Sequence, residues 1–518
     1  MSKSTRSTNR STSPENPAFE GGPESGREID VPANVALLRR RLATVLSHMA
    51  PEAVELGEIF AAAGHELALV GGPVRDAFLG RSSADLDFAS SARPDETLRL
   101  LAAWGDAHWD IGKEFGTIGA KRFARGGSPE VVVEVTTYRT DEYDPASRKP
   151  LVVFGDTLDG DLSRRDFTVN AMAVRLPDLT FVDPHDGLTD LARQVLRTPI
   201  EAARSFDDDP LRMMRAARFA AQLGFDVDEQ ADRAVRDMAD RISIVSAERV
   251  RDELSKLLVS QHPRAGLHVL VETGLADHVL PELVGMKQAV DEHNRHKDVY
   301  EHSLTVLDQA IDLETGPDGA VPGPDLVLRL AALLHDIGKP ATRRFESNGT
   351  VSFHHHEIVG AKLTAKRLRA LRFDKETVAQ VSRLVELHLR FHGYGDGAWT
   401  DSAVRRYVTD AGPLLERLHR LTRADCTTRN KRKAQRLSDA YDDLESRIEV
   451  LRGEEELASI RPDLDGQQIM EALSLKPGPE VGQAYRFLME LRLDRGPLGA
   501  DAAREELVRW WAARDQQP

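Results

Sequence analysis

The segment from Leu69 to Phe88 contains residues that could bind divalent cations and phosphates. It reads LVGGPVRDAFLGRSSADLDF. Asp85 and Asp87 are two residues apart in a strand-like run, so both carboxylates project from one face. Mg²⁺ binds one or two carboxylates and completes its shell with substrate phosphates. Two such ions can activate an attacking hydroxyl and stabilise leaving pyrophosphate. An isolated D-x-D is more often an exposed strand edge or turn, but the residues upstream favour a metal site.

Those upstream residues are Gly71, Gly72 and Arg75. The glycine pair lies where a strand ends, and Pro73 is well placed in the first turn of a helix. Glycines at such a turn let a phosphate approach the backbone, where free N–H groups and the helix dipole favour negative charge. A glycine pair alone is common in ordinary turns. The prediction of a nucleotide site rests on its combination with Arg75 and the aspartates.

A third acidic residue, Glu134, lies in the run VVVEVTTYR. Strand alternation places its side chain on the face opposite Val133 and Val135. A carboxylate on a neighbouring strand could complete a metal site with the two aspartates. Alternatively, Glu134 forms an ion pair with Arg139 or another cation.

The segment Arg164–Met172 reads RRDFTVNAM and offers phosphate-binding groups. Arg164 and Arg165 could clamp phosphates, because the guanidinium fork matches phosphate oxygens. Asn170 could donate a hydrogen bond to a ribose or a phosphate. The alternative is a capped helix start with surface charge.

The segment Asp207–Phe219, DDDPLRMMRAARF, contains an acid and an arginine that could select a base. If Pro210 opens a helix, Asp209 is its N-cap and shares a face with Arg212. Cytosine and adenine both present an amine beside a ring-nitrogen acceptor, whereas uracil lacks the amine and guanine reverses the order. One Asp/Arg pair could therefore accept CTP and ATP and reject UTP and GTP. The spacing alone equally fits a helix cap with an i,i+3 ion pair.

A second set of candidate ligands lies further along the chain. Leu326–Pro340 is apolar on nearly all sides and predicts a buried helix that ends at His335 and Asp336. Buried charge needs partners. The partners available are the other His and Asp residues of this region, namely His302, His354, His355, His356, His388 and Asp425. Such ligands suit a transition metal, although any single histidine is more often simply packed or exposed.

The order of these patterns predicts an α+β protein. Short strand-like runs, separated by turns, occur at Leu67–Val70, Leu86–Ala89, Ile118–Ala120, Val131–Val135 and Ala171–Arg175, and the pattern from Val31 to Phe60 is helical. After Arg197 almost everything is predicted to be helical. The predicted organisation is a disordered tail (1–30), a head with a mixed β-sheet (31–196), and all-α neck (197–286), third (287–440) and C-terminal tail (441–518) domains.

Composition narrows the class of protein. The 518 residues are too many for one core, and the formal net charge of −15 argues against a chain coated by nucleic acid. A local basic cluster, Arg429–Arg436, fits either a solvated helix face or RNA contacts. The single cysteine excludes an internal disulfide and fits a reducing cytoplasm. No apolar run is long enough to span a bilayer, so we expect no membrane partner.

From Leu67 to Leu258 the chain resembles the class II CCA-adding tRNA nucleotidyltransferase and poly(A) polymerase family. The resemblance rests on LVGGPVRDAFLG with DLD, RRDFTVNAM, DDDPLRMMRAARF and ISIVSAERVRDELSKLL. It implies a nucleotidyltransferase head in which Asp85 and Asp87 bind Mg²⁺, and base selection by Asp209 and Arg212. The remaining nucleotide contacts it implies lie at Gly71, Gly72, Asp166, Asn170, Arg215 and Arg218. DIGKEFGTIGA, Asp110–Ala120, is similar to the family's flexible stretch after the aspartates.

Lys297–Arg429 resembles the HD-domain metal-dependent phosphohydrolases. That resemblance implies metal ligands at His302, His335, Asp336 and Asp425, with His356 and His388 as candidates for a second metal. The implied ion is a divalent transition metal such as Ni²⁺, Mn²⁺ or Co²⁺.

The two resemblances together predict template-independent addition of CCA to the 3′ end of tRNA from CTP and ATP, with additional HD phosphohydrolase activity. Two alternatives remain. One is a poly(A) polymerase of the same family, which would use ATP without CTP. The other is an HD phosphohydrolase whose head only binds RNA, and the intact aspartate pair and RRDFTVNAM segment argue against it.

Overall fold

The computed structural model describes residues 31–47, 51–81, 85–124, 130–142, 151–155, 157–288, 298–347, 351–391, 399–427, 430–454 and 460–514. The predicted disordered tail, residues 1–30, lies outside these ranges. The chain divides into two compact units, Met1–Val279 and Leu280–Pro518, and each is described by itself. The four boundaries drawn from the sequence, which separate the disordered tail, head, neck, third and C-terminal tail regions, stay predictions.

The first unit is built on a seven-stranded mixed sheet with the strand order β3-β4-β5-β2-β1-β8-β9. The central pair β2 and β5 is parallel and the other neighbouring pairs are antiparallel, so the predicted mixed sheet is confirmed. Its strands are β1 (Leu67–Val70), β2 (Asp85–Ser90), β3 (Ala107–Trp109), β4 (Thr117–Arg122), β5 (Val131–Thr137), β8 (Ala173–Leu176) and β9 (Thr180–Val182). Two smaller two-stranded pairs are β6 (Arg139–Glu142) with β7 (Leu151–Phe154), and β10 (Val195–Leu196) with β11 (Asp226–Val227).

One strand prediction was wrong at its start. The run Ala171–Arg175 was expected to be extended throughout, but β8 begins at Ala173. Ala171 and Met172 instead follow a short 3-10 turn at Thr168–Asn170, and the N–H of Ala171 donates to the carbonyl of Thr168. This turn fixes the position of Asn170 before the strand begins.

Alternation along the strands separates a packed face from a polar face. In β5, Val131, Val133 and Val135 are buried in the core, whereas Glu134 between them is exposed. In β2 the core residues Leu86 and Phe88 alternate with Asp85 and Asp87, which lie on the opposite, polar face. Valine and isoleucine favour such half-buried strands because their branched side chains pack well on the pleated surface.

Helices cover the core face of this sheet and continue the unit beyond it. The first group is α1 (Val31–Ser47), α2 (Pro51–Ala62), α3 (Gly72–Phe78), α4 (Pro94–Trp104), α5 (Leu158–Ser163) and α6 (Gly187–Arg193). The helical pattern predicted from Val31 to Phe60 corresponds to α1 and α2 among the described residues. The later group is α7 (Ala202–Asp208), α8 (Leu211–Leu223), α9 (Glu229–Met238), α10 (Ala247–Leu258), α11 (Pro263–Glu272) and α12 (Leu275–Val279). Two short 3-10 helices, Lys113–Phe115 and Ala239–Ile244, complete the unit's described elements.

The second unit is almost entirely helical. Its helices are α13 (Pro281–Lys287), α14 (Val299–Asp312), α15 (Leu326–Leu334), α16 (Lys339–Thr342), α17 (His356–Ala370), α18 (Lys375–Leu387), α19 (Asp401–Ala411), α20 (Leu415–Ala424), α21 (Lys431–Glu454), α22 (Gly466–Leu473), α23 (Pro479–Arg495) and α24 (Ala500–Arg514). Short 3-10 helices lie at His388–Phe391 and Gly412–Leu414, and a small hairpin joins β12 (Arg344–Phe345) to β13 (Val351–Ser352). Helix α21 contains residue 440, where the boundary before the tail was placed.

The prediction of a buried helix before His335 is confirmed. Residues Leu328–Leu334 of α15 are all buried, and Asp325 caps the helix by accepting a hydrogen bond from the N–H of Leu328 at 2.7 Å. Within the described part of the chain, none of the helices combines the length and the apolar composition that crossing a lipid bilayer requires.

Candidate functional site

Three carboxylates lie together on the polar face of the sheet. The parallel register pairs Asp87 directly with Glu134, and Asp85 lies two residues before Asp87 on the same face. Burial raises the pKa of Asp87, and the neighbouring charges of Glu134 and Asp85 raise it further against the opposing effect of Arg165. Such mutual repulsion is what a bound cation would relieve. The expected placement of the three carboxylates on one face is therefore what the structure has.

The glycine turn adjoins these carboxylates. Strand β1 ends at Val70, and continuing the pairing of Leu69 with Phe88 places Val70 opposite Asp87, so the turn at Gly71 begins one residue beyond that position. Gly71 has φ +74°, and a Cβ there would lie 2.9 Å from Nη1 of Arg165. Gly72 begins α3 and Pro73 occupies its first turn, as predicted. Glycine is required here by both backbone conformation and the closeness of the guanidinium.

The two arginines of RRDFTVNAM are held by Asp161, a residue that we assigned no role from the sequence. Its side chain is completely buried, and it accepts hydrogen bonds from Nη2 of Arg164 at 2.6 Å and Nη2 of Arg165 at 3.1 Å. Burial by itself would raise the pKa of Asp161, but Arg165 and Arg164 lower it below its usual value. The i,i+3 and i,i+4 spacing could have revealed this pairing.

A buried network connects the next four predicted nucleotide contacts. Arg75 donates to Asn170 at 2.5 Å, Asn170 donates to Asp166 at 3.0 Å, and Asp166 pairs with Arg215 at 2.7 Å. Burial would raise the pKa of Asp166, but Arg215 and the hydrogen bonds from Asn170 and the Phe167 N–H lower it. Arg75, Asp166 and Asn170 are each at most 5% exposed. Their polar groups bind one another, and Arg215 alone is partly exposed.

Asp209 and Arg212 do not form the ion pair with each other that their spacing suggested. The Asp209 carboxylate accepts from the N–H of Leu211 at 3.1 Å and pairs with Arg249 at 3.1 Å. Arg212, which is buried, donates to Oγ of Ser205 at 2.8 Å and to the carbonyl of Arg164 at 2.5 Å. The helix is assigned from Leu211, with Pro210 as its N-cap rather than Asp209. Asp209 still binds a backbone N–H at this helix start.

Arg218 lies one turn beyond Arg215 and is paired with α10. Its Nε is 2.6 Å from the carboxylate of Glu253, and its guanidinium lies 4.0 Å from the centre of the Phe219 ring. Burial lowers the pKa of Arg218 against the raising effect of Glu253. Glu253 and Arg249 both belong to the segment ISIVSAERVRDELSKLL, where the sequence suggested no individual roles.

In the second unit, six predicted ligands form one cluster. Two groups of three, within which all ligand atoms lie within 4.8 Å of one another, are His302, His335 and Asp425, and then Asp336, His356 and His388. His354 and His355, also considered as ligands, are exposed and lie outside both groups.

Backbone contacts fix the orientation of the histidine rings. Nδ1 of His335, His356 and His388 bonds to the carbonyl oxygens of Ala332, Phe353 and Val385 at 2.9, 2.8 and 2.7 Å. An Nδ1–H that donates to a carbonyl leaves the lone pair on Nε2, the arrangement found around metal-binding histidines. Facing Nε2 atoms are only 3.3 Å apart in the pairs His302–His335 and His356–His388. Converging lone pairs of this kind fit a divalent cation.

Asp336 connects the two groups. One carboxylate oxygen lies 3.2 Å from Nε2 of His335, and the other lies 3.2 Å from Nε2 of His356. Lys339 is 2.8 Å from the first oxygen. Burial by itself would raise the pKa of Asp336, but His335 and Lys339 hold it well below its usual range. For His335, burial by itself would lower the pKa of the imidazole, but the negative charges of Asp336 and Asp425 raise this pKa to about 9.

Three family models match successive parts of the chain. Residues 67–197 match the model of the poly(A) polymerase head domain, and residues 224–286 match the model described as the probable RNA and SrmB-binding site of polymerase A. Residues 299–430 match the HD domain, which includes all six clustered ligands.

Curated relatives cover nearly the whole chain. The A-adding tRNA nucleotidyltransferase of Deinococcus radiodurans is 35% identical over 451 residues, which is 86% of this chain and 95% of that protein. The CC-adding tRNA nucleotidyltransferase of Thermus thermophilus is 32% identical over 86% of this chain and 94% of its own length. The chain belongs to the tRNA nucleotidyltransferase family. A third relative, the CCA-adding enzyme of Lactobacillus delbrueckii subsp. bulgaricus, is 31% identical over 87% of this chain and 94% of that protein.

Solved structures show the same fold for this tRNA nucleotidyltransferase. The CCA-adding enzyme of Bacillus stearothermophilus in complex with CTP has a TM-score of 0.62 at 23% identity, covering 90% of this chain and 100% of that one. The Thermotoga maritima CCA-adding enzyme complexed with tRNA has a TM-score of 0.56 at 16% identity, covering 91% and 98%. The head and HD domains of this tRNA nucleotidyltransferase both imply the use of divalent metals. In the second unit, the two ligand groups are candidates for holding such metals.

Proposed function

We propose that this tRNA nucleotidyltransferase adds the whole CCA sequence to tRNA 3′ ends, using CTP and ATP and no nucleic-acid template. The observation that carries the proposal is the register of β2 and β5, which brings Asp85, Asp87 and Glu134 to one face beside the Gly71 turn. A relative named as a CCA-adding enzyme aligns with most of the chain, and the relatives named A-adding and CC-adding define the two partial activities to be tested.

The roles that we assign in the head follow from these contacts. Asp85, Asp87 and Glu134 would hold Mg²⁺, which when bound activates the RNA 3′ hydroxyl and stabilises pyrophosphate. Arg165, held by Asp161 against Gly71, is placed to bind triphosphate oxygens. Arg164 and Gly72 belong to the same phosphate-binding surface in our proposal.

The buried hydrogen-bond network described above supports the phosphate-binding surface. Arg75, Asn170 and Asp166 bind one another and therefore position the turn and Arg215 rather than reach far into solvent. Arg215 is the member of the network that remains exposed enough to contact a nucleotide. Arg218, one helical turn from Arg215, supports Arg215 through an ion pair with Glu253.

Base selection is assigned to Asp209 and Arg212. The carbonyl of Arg164 accepts a hydrogen bond from Arg212, so the proposed base-reading guanidinium is joined to the phosphate-binding segment. The carboxylate of Asp209 is shared with Arg249, which therefore sets its orientation. An incoming CTP or ATP would offer an amine to the carboxylate and a ring nitrogen to the guanidinium.

The test uses purified full-length protein and three acceptor tRNAs, which end before CCA, after the first C, and after CC. Each is incubated with Mg²⁺ and each nucleotide alone, then with CTP and ATP together. Full CCA addition predicts C incorporation on the first two acceptors and a single A on the third. If only A is incorporated, and only on the third acceptor, the protein is an A-adding enzyme. If only C is incorporated, it is a CC-adding enzyme. Long tracts of A identify a poly(A) polymerase. No incorporation on any acceptor would leave only the alternative of an HD phosphohydrolase with an RNA-binding head.

We propose a second activity for the HD domain, because the bridging position of Asp336 between two ligand groups favours it. Mixed His and Asp ligands suit Ni²⁺, Mn²⁺ or Co²⁺ better than Mg²⁺. Such an ion supplies hydroxide at neutral pH by lowering the pKa of bound water. Suitable substrates are a phosphate monoester or a 2′,3′-cyclic phosphate on an RNA end. Release of phosphate or opening of the cyclic phosphate with each metal added in turn tests the assignment.

The proposed partners are tRNA, CTP and ATP, and the proposed location is the cytoplasm. The chain has a single cysteine, Cys426, and therefore no internal disulfide, which fits a reducing compartment.

A further inference from the structure

The indole of Trp109 lies over Gly119 on the polar face of the sheet. Trp109 pairs with Gly119 across β3 and β4. A Cβ at Gly119 would lie 2.0 Å from Cε2 and 2.2 Å from Nε1 of the indole. Glycine inside a strand often marks such a close approach. The glycine therefore makes the space that the half-buried indole fills.

This indole lies in the same cross-strand row as the carboxylates. Gly119 pairs with Glu134, and Glu134 pairs with Asp87, so Trp109, Gly119, Glu134 and Asp87 share one face of four adjacent strands. Neighbouring strands lie about 4.8 Å apart. The ring, which covers Gly119, is therefore one strand from Glu134 and two from Asp87.

Trp109 and the phosphate-binding turn lie on opposite sides of the carboxylates. Gly71 follows β1 and lies close to Arg165, on one side of Asp87, whereas β3 and β4 lie on the other side, beyond Glu134. A transfer reaction brings two reactants to the same metal site. If the nucleotide triphosphate occupies the side of Gly71, the RNA 3′ end approaches from the side of Trp109.

We infer that Trp109 stacks on the 3′-terminal base of the acceptor RNA and positions its 3′ hydroxyl at the carboxylates. This inference rests on the proposed function, in which the terminal base differs from one cycle of addition to the next. Stacking on an aromatic ring accepts any base, because every base has a π face. A hydrogen-bonding side chain at this place would favour one base and hinder the next cycle.

The experiment compares Trp109→Ala, Trp109→Phe and Gly119→Ala with the wild type by steady-state kinetics on acceptor tRNA. Trp109→Ala should raise KM for the acceptor by about 5- to 100-fold, the range expected for loss of one stacked base, with KM for CTP little changed. Gly119→Ala should have a similar effect, because its methyl group displaces the indole. Trp109→Phe retains an aromatic ring and should recover most of the affinity. Phe123→Ala is the control, because Phe123 is 49% exposed and follows the same strand, about 13 Å from Gly119.

Binding is measured separately from chemistry by the fluorescence of Trp109. Titration of the wild type with acceptor RNA, without nucleotide, should quench a component that Trp109→Phe lacks. A rise in KM for CTP instead of the acceptor would overturn the inference, and so would a lowered melting temperature with unchanged kinetics and quenching. If the wild type adds no nucleotide, the proposed function fails, while the quenching still reports whether RNA stacks on Trp109.

Discussion

At the scale of single residues, the reactive face of the head depends on an unfavourable arrangement of charge. Asp87 is paired directly with Glu134, and its pKa is raised by burial and by both neighbouring carboxylates. A protein that needed only stability would separate these groups. Their retention at one place fits a site completed by cations, and the same three residues stand where the sequence alternation placed them.

Asp85→Asn and Asp87→Asn should each lower the rate of nucleotide addition by about 100-fold or more, the scale of losing one preorganised electrostatic contact. The fold should survive, because removing a repelling carboxylate relieves charge. Single-turnover addition of C with saturating Mg²⁺ measures the rate, and thermal unfolding checks the fold. Asp95→Asn, which alters an exposed ion pair with Lys113, is the matched control. Near wild-type addition by either site variant would contradict the assignment.

Asp161→Asn tests how the carboxylate of Asp161 holds Arg164 and Arg165, through the pH dependence of the free energy of unfolding. Breaking a buried ion pair should cost about 3 kcal/mol at pH 7. Because the folded-state pKa of Asp161 is lowered, its stabilisation is present above the ordinary carboxyl pKa and is lost as the pH falls through the folded value. The difference in the free energy of unfolding between wild type and variant should therefore shrink below about pH 4. Asp159→Asn, at an exposed neighbouring position, should show no such pH dependence.

Arg212→Ala should weaken discrimination against UTP and GTP by about 1–3 kcal/mol, because a base-edge hydrogen-bonding partner is lost. It should also lower the melting temperature, since Arg212 is buried and bonded to Ser205 and Arg164. Ser205→Ala removes one of these bonds and keeps the guanidinium, which makes it the control for stability alone. Competition between the four nucleotides gives the ratios. Unchanged ratios in Arg212→Ala would assign this residue to the helix start instead.

At the scale of elements, the junction of β1 and α3 combines backbone strain with a close side chain, and the two effects can be separated. Gly71→Ala places a methyl group 2.9 Å from Arg165 at φ +74°, so it should both destabilise the head by about 1–2 kcal/mol and raise KM for nucleotides. Gly80→Ala has the same strain at φ +73° with nothing within 4 Å of its Cβ. It should therefore lower stability alone. Equal KM values in the two variants would show that Arg165 does not bind the triphosphate.

The elements also show what local sequence can predict. The continuous apolar run Leu67–Val70 predicted β1 at its bounds, and alternation along β5 placed Glu134 on the polar face, because both patterns are local properties of the sequence. The pairs Asp209–Arg249 and Arg218–Glu253 were missed, because they depend on how α8 packs against α10. The late start of β8 was missed because Ala171, where the strand was expected to begin, caps the 3-10 turn and donates its N–H to the carbonyl of Thr168.

At the scale of the whole molecule, the chain carries two sets of candidate metal ligands, one in each compact unit. The carboxylates of the head lie in Met1–Val279, and the six His and Asp ligands lie in Leu280–Pro518. Oxygen ligands in the first set suit Mg²⁺, and imidazoles in the second suit transition metals. The two activities should therefore respond to different ions and to different substitutions.

Asp336→Asn should abolish transition-metal binding and phosphate-ester hydrolysis while nucleotide addition continues, because Asp336 lies between both ligand groups. Asp87→Asn should strongly lower nucleotide addition, while transition-metal binding and phosphate-ester hydrolysis continue. Elemental analysis of the purified proteins, hydrolysis with added Ni²⁺, Mn²⁺ or Co²⁺, and C addition with Mg²⁺ are measured on the same preparations. His355→Ala is the matched control, since this side chain is 84% exposed and adjoins His356 without belonging to the cluster. If the wild-type protein neither binds these metals nor hydrolyses either substrate, the six clustered His and Asp residues only pack against one another. Loss of addition in Asp336→Asn without loss of thermal stability would show instead that the two sites are coupled.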